Sequence, residues 1–233
     1  MPIGCDKYKV VNIPYTVINM NVLKAVMGVS LYLALGDSIT AGYGVGTIFS
    51  FPTLYGNFLR RHNPDLTVHN LSINGLTTQG LLRLLQCNLN LRQLVSRASL
   101  ITITIGSNDL LSLIRNSNQS LNTSQLPIIL RSMGKTLAQA GEVIRRLNPK
   151  VIVKVATIYN PLPAGPYAQY NEQVQRVIDT ANAVIIAWAK RYGFVVVYID
   201  REIRGKEWFL IGPDYGHPNA TGYGVIAKAF ARY

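Results

Sequence analysis

Ser38 stands where an apolar run of the sequence stops, in the order Gly36, Asp37, Ser38. These residue types are common in turns, and serine also caps helices. The triplet by itself therefore leaves Ser38 as a turn residue, a helix cap or a nucleophile. A serine hydroxyl attacks well only when a neighbouring base removes its proton. A catalytic Ser38 would require a base, a group that orients the base and donors for a developing oxyanion, all from elsewhere in the chain.

His217 has the sequence neighbourhood that suits such a base. Asp214 precedes it by three residues, and this spacing directs both side chains to the same side of a turn or of one helical turn. The carboxylate can then accept from Nδ1–H, which fixes the tautomer and leaves Nε2 to take a proton. His62 ends a basic stretch and is predicted to be a solvated surface residue. His69 lies within a predicted strand, and a structural role is expected for it.

A glycine-rich stretch after Ser38 raises the alternative of a nucleotide site. Gly42, Gly44 and Gly46 follow a GxGxG spacing, however, and the dinucleotide fingerprint is GxGxxG. Asp65 precedes the second predicted strand, whereas a ribose-binding acid would end it. The phosphate-binding pattern GxxxxGK[ST] is also missing from the sequence. These departures argue against a nucleotide site.

The elements that must position these residues alternate along the chain. Short apolar runs rich in β-branched residues predict five strands, at 30–36, 66–72, 99–106, 151–158 and 194–200. Apolar residues at three- and four-residue intervals predict helices over 126–147 and 171–191. The alternation predicts a parallel sheet with helices on both faces. Because the first, third and fifth strands are apolar nearly throughout, we expect both faces of each to be covered.

Ligands of such sheets bind just outside the carboxyl ends of the strands. Ser38 follows the first predicted strand, Gly75 the second and Asn108 the third, while Asp214 and His217 come after the fifth. We therefore expect these residues to lie together.

The motifs "GDSIT", "SINGL", "IGSND" and "DYGHP", in this order, resemble those of the SGNH hydrolases, also called GDSL lipases and esterases, over residues 31–223. The resemblance implies a flavodoxin-like, three-layer α/β/α fold whose five-stranded parallel sheet has the order 2-1-3-4-5. It implies that Ser38 is the nucleophile, His217 the general base and then acid, and Asp214 its orienting partner. The implied oxyanion donors are the backbone N–H groups of Ser38 and Gly75 and the side-chain amide of Asn108. No metal or organic cofactor is expected.

The activity that the resemblance implies is hydrolysis of carboxylic esters through an acyl-serine intermediate, with short acyl chains as the expected substrates. A carbohydrate O-acetyl esterase and a lysophospholipase or thioesterase, all of the same mechanism, are the alternatives. A non-catalytic binding module is a more distant one, because a binding module has no need of the full set of site residues. The expected partner is a small-molecule or lipid ester.

Four further segments or residues lie close to these motifs. Asp37 and Asp109 are expected to brace turns and not to act as catalytic acids. Residues 110–114 are interpreted as helix core or as the wall of an acyl pocket. Residues 159–167 form a Pro-rich loop that either overhangs the site or is a stiff connector.

Charge and composition narrow the classes of function. The formal net charge is +12, but the basic residues are spread along the chain in runs of no more than two. Nucleic-acid binding is therefore not expected, and a weak attraction to anionic surfaces remains compatible with the charge. With 48% hydrophobic and 15% charged residues, the chain has the composition of a folded domain.

The chain is predicted to contain one domain, residues 29–233, preceded by an N-terminal arm or extra strand over 1–28. Residues 16–35 are the candidate targeting segment, but Lys24 interrupts their apolar run and no basic region precedes it. We therefore expect a cytoplasmic protein, with secretion or attachment to the cell wall as the alternative. Cys5 and Cys87 are predicted to be free thiols.

Overall fold

A five-stranded parallel sheet forms the centre of the computed structural model, which describes residues 30–111, 113, 123–166 and 168–233. Its strands are β1 (Leu31–Gly36), β2 (Thr67–Asn70), β3 (Leu100–Thr104), β4 (Ile152–Ala156) and β5 (Val195–Val197). Their order in the sheet is β2-β1-β3-β4-β5. The predicted fold class and strand order are confirmed.

Helices cover both faces of this sheet. Within the described residues they are α1 (Ser38–Ala41), α2 (Phe51–Arg60), α3 (Thr78–Cys87), α4 (Leu89–Arg97), α5 (Ser107–Leu110), α6 (Leu126–Leu147), α7 (Asn171–Arg191), α8 (Ile199–Ile203), α9 (Glu207–Leu210) and α10 (Ala220–Arg232). The two long helices, α6 and α7, have the bounds that their apolar periodicity predicts.

The alternation of side chains along β1 divides the core into two clusters. Leu33 and Leu35 point into one cluster, which α3, α4, α6 and α7 complete. Tyr32 and Ala34 point into the other, which α2, α8 and α10 complete. Successive strand residues face opposite sides of a sheet, so one short strand supplies both cores and fixes the three-layer arrangement.

The prediction that both faces of the fifth strand are covered is wrong. Val195 and Val196 of β5 are only partly buried, whereas every residue of β3 is buried. The strand order explains the difference, because β5 forms one edge of the sheet. An apolar run in the sequence therefore did not distinguish an edge strand from a central one.

The register of the strands brings their carboxyl ends to one edge. Gly36, the last residue of β1, pairs with Thr104, the last residue of β3. Ala156 and Val197 likewise end β4 and β5 as a pair. We call this side of the sheet the carboxyl edge, and the loops that follow the strands meet there.

No helix in the described part of the chain is long and apolar enough to cross a membrane. The predicted N-terminal arm, and residues 16–29 of the candidate targeting segment, lie outside the described residues. Cys87 is a free, exposed thiol, as predicted, whereas Cys5 also lies outside them.

Candidate active site at the carboxyl edge of the sheet

The turn after β1 presents Ser38 at the start of α1. Gly36 has φ +147°, and a Cβ there would lie 2.5 Å from the backbone oxygen of Thr104, so a side chain has no space at this position. Asp37 is the N-cap of α1, and its Oδ1 accepts from the backbone N–H of Ile39 at 3.1 Å. The side chain that caps α1 is that of Asp37, so the helix-cap interpretation of Ser38 is wrong, and the residue whose conformation the turn requires is Gly36. The Ser38 side chain instead contacts His217.

His217 joins Ser38 to Asp214 through both nitrogens of its ring. Nδ1 lies 2.6 Å from Oδ2 of Asp214, and Nε2 lies 2.8 Å from Oγ of Ser38. A proton on Nδ1 is bound by the carboxylate, and Nε2 then accepts from the serine hydroxyl. The sequence predicted that these three residues would meet, and the structure places them in one hydrogen-bonded series.

Asp214 is suited to remain ionised in this series. Its Oδ1 accepts from the backbone N–H groups of Gly216 and His217, each at 3.0 Å. Partial burial acts to raise the pKa of Asp214, but these backbone hydrogen bonds and the imidazole outweigh it and hold the pKa below its usual value.

The loop that carries Asp214 and His217 is closed at its base. The N–H of Gly212 donates to the carbonyl of His217 at 2.7 Å, and Ile211 forms an antiparallel bridge with Pro218. At the tip, the hydroxyl of Tyr159 donates to the carbonyl of Gly216 at 2.7 Å. These bonds fix the direction in which the imidazole points.

Tyr43 lies against the imidazole and was not identified from the sequence. Its ring centroid is 4.4 Å from that of His217, with 37° between the planes. The hydroxyl of Tyr223 donates to the carbonyl of Tyr43 at 3.1 Å and holds this loop in place. An aromatic residue shortly after Ser38 is the one signal that the sequence offers for this contact.

Gly75 and Asn108 occupy the turns after β2 and β3. Gly75 has φ +79° in a turn closed by the N–H of Leu76 and the carbonyl of Ile73 at 3.0 Å, a conformation that favours glycine. Nδ2 of Asn108 donates one hydrogen to the carbonyl of Leu76 at 3.0 Å. Since a side-chain amide carries two N–H groups, this bond fixes the amide and leaves a second N–H for the cavity that Asn108 lines.

Two further aspartates brace the turns, as expected. Asp109 accepts from the backbone N–H of Thr78 at 3.0 Å and from its hydroxyl at 2.6 Å, which ties the start of α3 to α5. Asp37 accepts from the hydroxyl of Thr104 at 2.9 Å. Burial raises the pKa of Asp37 to about 6, although its hydrogen bonds act in the opposite direction.

An apolar cavity of about 210 Å³ opens beside Ser38. Its polar lining residues are Asp37, Ser38, Ser107, Asn108, Tyr159 and His217. Its wall is otherwise mainly aliphatic: Ile39, Leu110, Leu111, Leu113, Ile158, Pro161, Leu162, Val174, Val177 and Ile178. The segment 110–114 thus supplies cavity wall, although residues 112 and 114 lie outside the described side chains. Pro161 and Leu162 show that the Pro-rich loop also borders the cavity.

The other two histidines take no part in this site. His62 is exposed beyond the end of α2, with its ring against Phe58. His69 is exposed on the edge strand β2. In the described part of the chain, no three His, Cys, Asp or Glu side chains are grouped so that they could hold a metal ion.

Comparisons with known proteins define the class of this molecule. The chain is 25% identical over 210 residues to the spore germination lipase LipC of Bacillus licheniformis, a match that covers 84% of this chain and 92% of that protein. Its fold is similar to that of the lipase Lip_vut3 from a goat rumen metagenome, with a TM-score of 0.76, 23% identity and coverage of 86% and 95% of the two chains. It is also similar to that of the acetylxylan esterase Axe2 from Geobacillus stearothermophilus, with a TM-score of 0.64, 20% identity and coverage of 87% and 93%.

The class that a family match supports is that of the esterase-type hydrolases. More particularly, the sequence profile of the GDSL-like lipase/acylhydrolase family matches residues 34–225. The chain belongs to this family, as the order of its four motifs predicts.

Proposed function

We propose that this protein is a serine hydrolase that cleaves carboxylic esters through an acyl-serine intermediate. The observation that carries the proposal is the series Asp214, His217, Ser38, with hydrogen-bond lengths of 2.6 and 2.8 Å. Nucleophile, base and orienting carboxylate are the three groups that activation of a serine requires. The membership of the family supports hydrolysis as the reaction type.

In the proposed mechanism, Nε2 of His217 takes the Ser38 proton as Oγ attacks the ester carbonyl. The carbonyl oxygen becomes an oxyanion, which the backbone N–H groups of Ser38 and Gly75 and the side-chain amide of Asn108 stabilise. His217 then gives its proton to the leaving alkoxide, and the acyl-serine forms. A water molecule deprotonated by His217 attacks this ester, and the acid is released as the proton returns to Ser38.

The cavity favours an aliphatic acyl group. Its volume is about 210 Å³, and at ~30 Å³ for a group the size of a water molecule it holds roughly seven methylene-sized groups. An acetyl group would fill little of this space, and a sugar hydroxyl would find few polar partners on the aliphatic wall. We therefore favour an ester of a short to medium fatty acid over a carbohydrate acetyl ester.

The test is hydrolysis of p-nitrophenyl esters from acetate to dodecanoate by the wild type and Ser38→Ala. The wild type is expected to show a burst of product and to prefer hexanoate or octanoate to acetate. Ser38→Ala is expected to lower kcat by roughly 10⁴-fold or more. Ser96→Ala, on the exposed surface of α4, is the matched control and should behave as wild type.

Two outcomes would contradict the proposal. Equal turnover by the wild type and Ser38→Ala would show that Ser38 is not the nucleophile. Activity restricted to acetyl esters, with acetylated xylan as a good substrate, would show that the substrate is a carbohydrate acetyl ester and not a fatty acyl ester. The proposed mechanism would still stand.

A further inference from the structure

Two adjacent aromatic side chains project from the one-turn helix α9. Trp208 is 70% exposed and Phe209 is 78% exposed. The residues on either side hold the helix to the protein, because Leu210 is buried and the buried Glu207 accepts from the N–H of Gly205 at 2.9 Å. We call Trp208 and Phe209 the aromatic pair. Large aromatic residues exposed together on an anchored helix are typical of an interaction surface.

The aromatic pair lies on the same side of the molecule as the active site. Helix α9 packs against the 3₁₀ turn Leu162–Ala164, whose Leu162 lines the cavity. The side-chain amide of Asn219 donates to the carbonyl of Phe209 at 2.9 Å, and the chain between them is the loop that carries His217. A surface that bound the aromatic pair would therefore also face the mouth of the cavity.

Exposed basic residues precede the aromatic pair along the chain. Lys206 precedes it and is exposed, and Arg201 and Arg204 lie on the same stretch of chain, also exposed. Arg204 is partly neutralised by Asp179 at 3.4 Å, and Arg201 lies over the ring of Tyr198. The formal net charge of the whole chain is +12. Tryptophan and phenylalanine beside lysine and arginine match the chemistry of an anionic lipid surface, where rings enter the headgroup layer and cations bind phosphate.

We propose that the aromatic pair docks this protein on an anionic lipid bilayer and presents the cavity to esters held in that bilayer. The inference about the substrate rests on the proposed function, whereas the docking itself requires no catalysis. Trp208 and Phe209 enter the headgroup layer, and the basic residues that precede them bind the lipid phosphates. The acyl ester then reaches the apolar cavity from the lipid phase without crossing bulk water.

The tryptophan content of the chain provides a direct test of docking. The sequence has two tryptophans, and Trp188 is only 4% exposed, so a change in emission on binding reports on Trp208. Ser38→Ala protein, which cannot consume the lipid under the proposed mechanism, is mixed with vesicles of phosphatidylcholine alone or with phosphatidylglycerol added. A blue shift with the anionic vesicles, weakened by salt, is expected.

A flotation assay with the same vesicles measures the contribution of the pair. The double variant Trp208→Ala/Phe209→Ala is expected to bind at least about tenfold more weakly, since two apolar side chains no longer leave water. Leu89→Ala, which removes a highly exposed leucine from α4, is the matched control and should bind as wild type. In the wild-type background, the double variant should retain hydrolysis of soluble p-nitrophenyl esters and lose hydrolysis of an ester embedded in vesicles.

Three results would overturn the docking proposal: no blue shift with anionic vesicles, equal flotation of the double variant and wild type, or a blue shift that depends on protein concentration without vesicles. The last would assign the pair to contact between copies of the chain. A protein that binds vesicles but hydrolyses no ester would instead refute the proposed function and leave the docking surface standing.

Discussion

Asp37 and Asp214 both lie beside the Ser38–His217 pair, but their surroundings differ. Asp37 is 1% exposed within the turn after β1, whereas the Asp214 side chain is 40% exposed on a surface loop. Burial raises the pKa of Asp37 to about 6. The hydrogen bonds from the backbone of the Asp214 loop outweigh its partial burial and hold the pKa of Asp214 below its usual value.

The contrast separates the turn that holds Ser38, the proposed nucleophile, from the loop that is proposed to activate it. Asp37 accepts hydrogen bonds from the backbone N–H of Ile39 and the hydroxyl of Thr104, which belong to α1 and β3. Asp214 directs Oδ2 to the imidazole that contacts Ser38. Two carboxylates whose environments shift their pKa values in opposite directions have different tasks. We therefore expect changes at Asp37 to alter mainly stability and changes at Asp214 to alter mainly turnover.

Of the changes that test this contrast, Asp214→Asn is expected to have the largest effect. The asparagine oxygen can keep the backbone bonds, but its N–H₂ group faces Nδ1 and favours the tautomer whose proton sits on Nε2. That imidazole cannot accept the Ser38 proton, so kcat should fall by roughly 10³- to 10⁴-fold. Steady-state kinetics and thermal unfolding on the same preparation check this. A tenfold loss or less would mean that Asp214 does not orient the base.

Asp37→Asn tests the buried carboxylate through the pH dependence of stability. A folded pKa of about 6 lies above the unfolded value, so the contribution of Asp37 to stability is fully present below about pH 4 and is lost as pH rises through 6. Asparagine is neutral, and its oxygen can accept both bonds that now reach Oδ1. Between pH 4 and pH 7, the variant should therefore gain about 2 kcal/mol in unfolding free energy relative to wild type.

Urea unfolding at several pH values measures this difference, with the exposed Asp65→Asn as the matched control. A constant difference between wild type and Asp37→Asn over this range would show that the Asp37 pKa is not raised. If Asp37→Asn lost as much turnover as Asp214→Asn, the two carboxylates would not have the separate tasks assigned to them.

The smallest effect is expected at Tyr43. Its ring lies against the imidazole, which becomes a cation in the proposed mechanism when His217 takes the Ser38 proton. The face of an aromatic ring attracts a cation by about 0.5–1 kcal/mol at an exposed site. Tyr43→Leu should therefore lower kcat by about threefold to fivefold with little change in KM. Tyr43→Phe should restore the wild-type rate. If the kcat of Tyr43→Phe is as low as that of Tyr43→Leu, the loss comes from the missing hydroxyl and not from the missing ring contact.

Local patterns in the sequence were sufficient for most of the fold. Periodicity determined the bounds of α6 and α7, and strand runs followed by small or polar residues located Ser38, Gly75 and Asn108 at one edge of the sheet. These predictions succeed because a helix face, a parallel strand and a tight turn each depend on residues close together in the chain.

Contacts between distant segments were harder to predict. The ring of Tyr43 against His217 and the hydroxyl of Tyr159 on the Gly216 carbonyl follow no sequence spacing. The exposure of β5 depends on its place at the edge of the sheet, which its apolar residues do not encode. The aliphatic wall of the cavity combines residues from several elements, such as Leu110 and Val177. The sequence pattern of each element alone predicts these residues to be part of the core.

The closed base of the loop between Gly212 and His217 has a consequence for how substrate preference can change. The bond from Gly212 to the His217 carbonyl sets the number of residues between them, so an insertion or deletion there would move Nε2 away from Ser38. Helix α7 borders the same cavity without any such tie to the imidazole, whereas the Pro-rich loop is bound to the His217 loop through the hydroxyl of Tyr159 and the carbonyl of Gly216. Variation in acyl-chain length can therefore be accommodated more readily along α7, while the loop that holds His217 keeps a constant length.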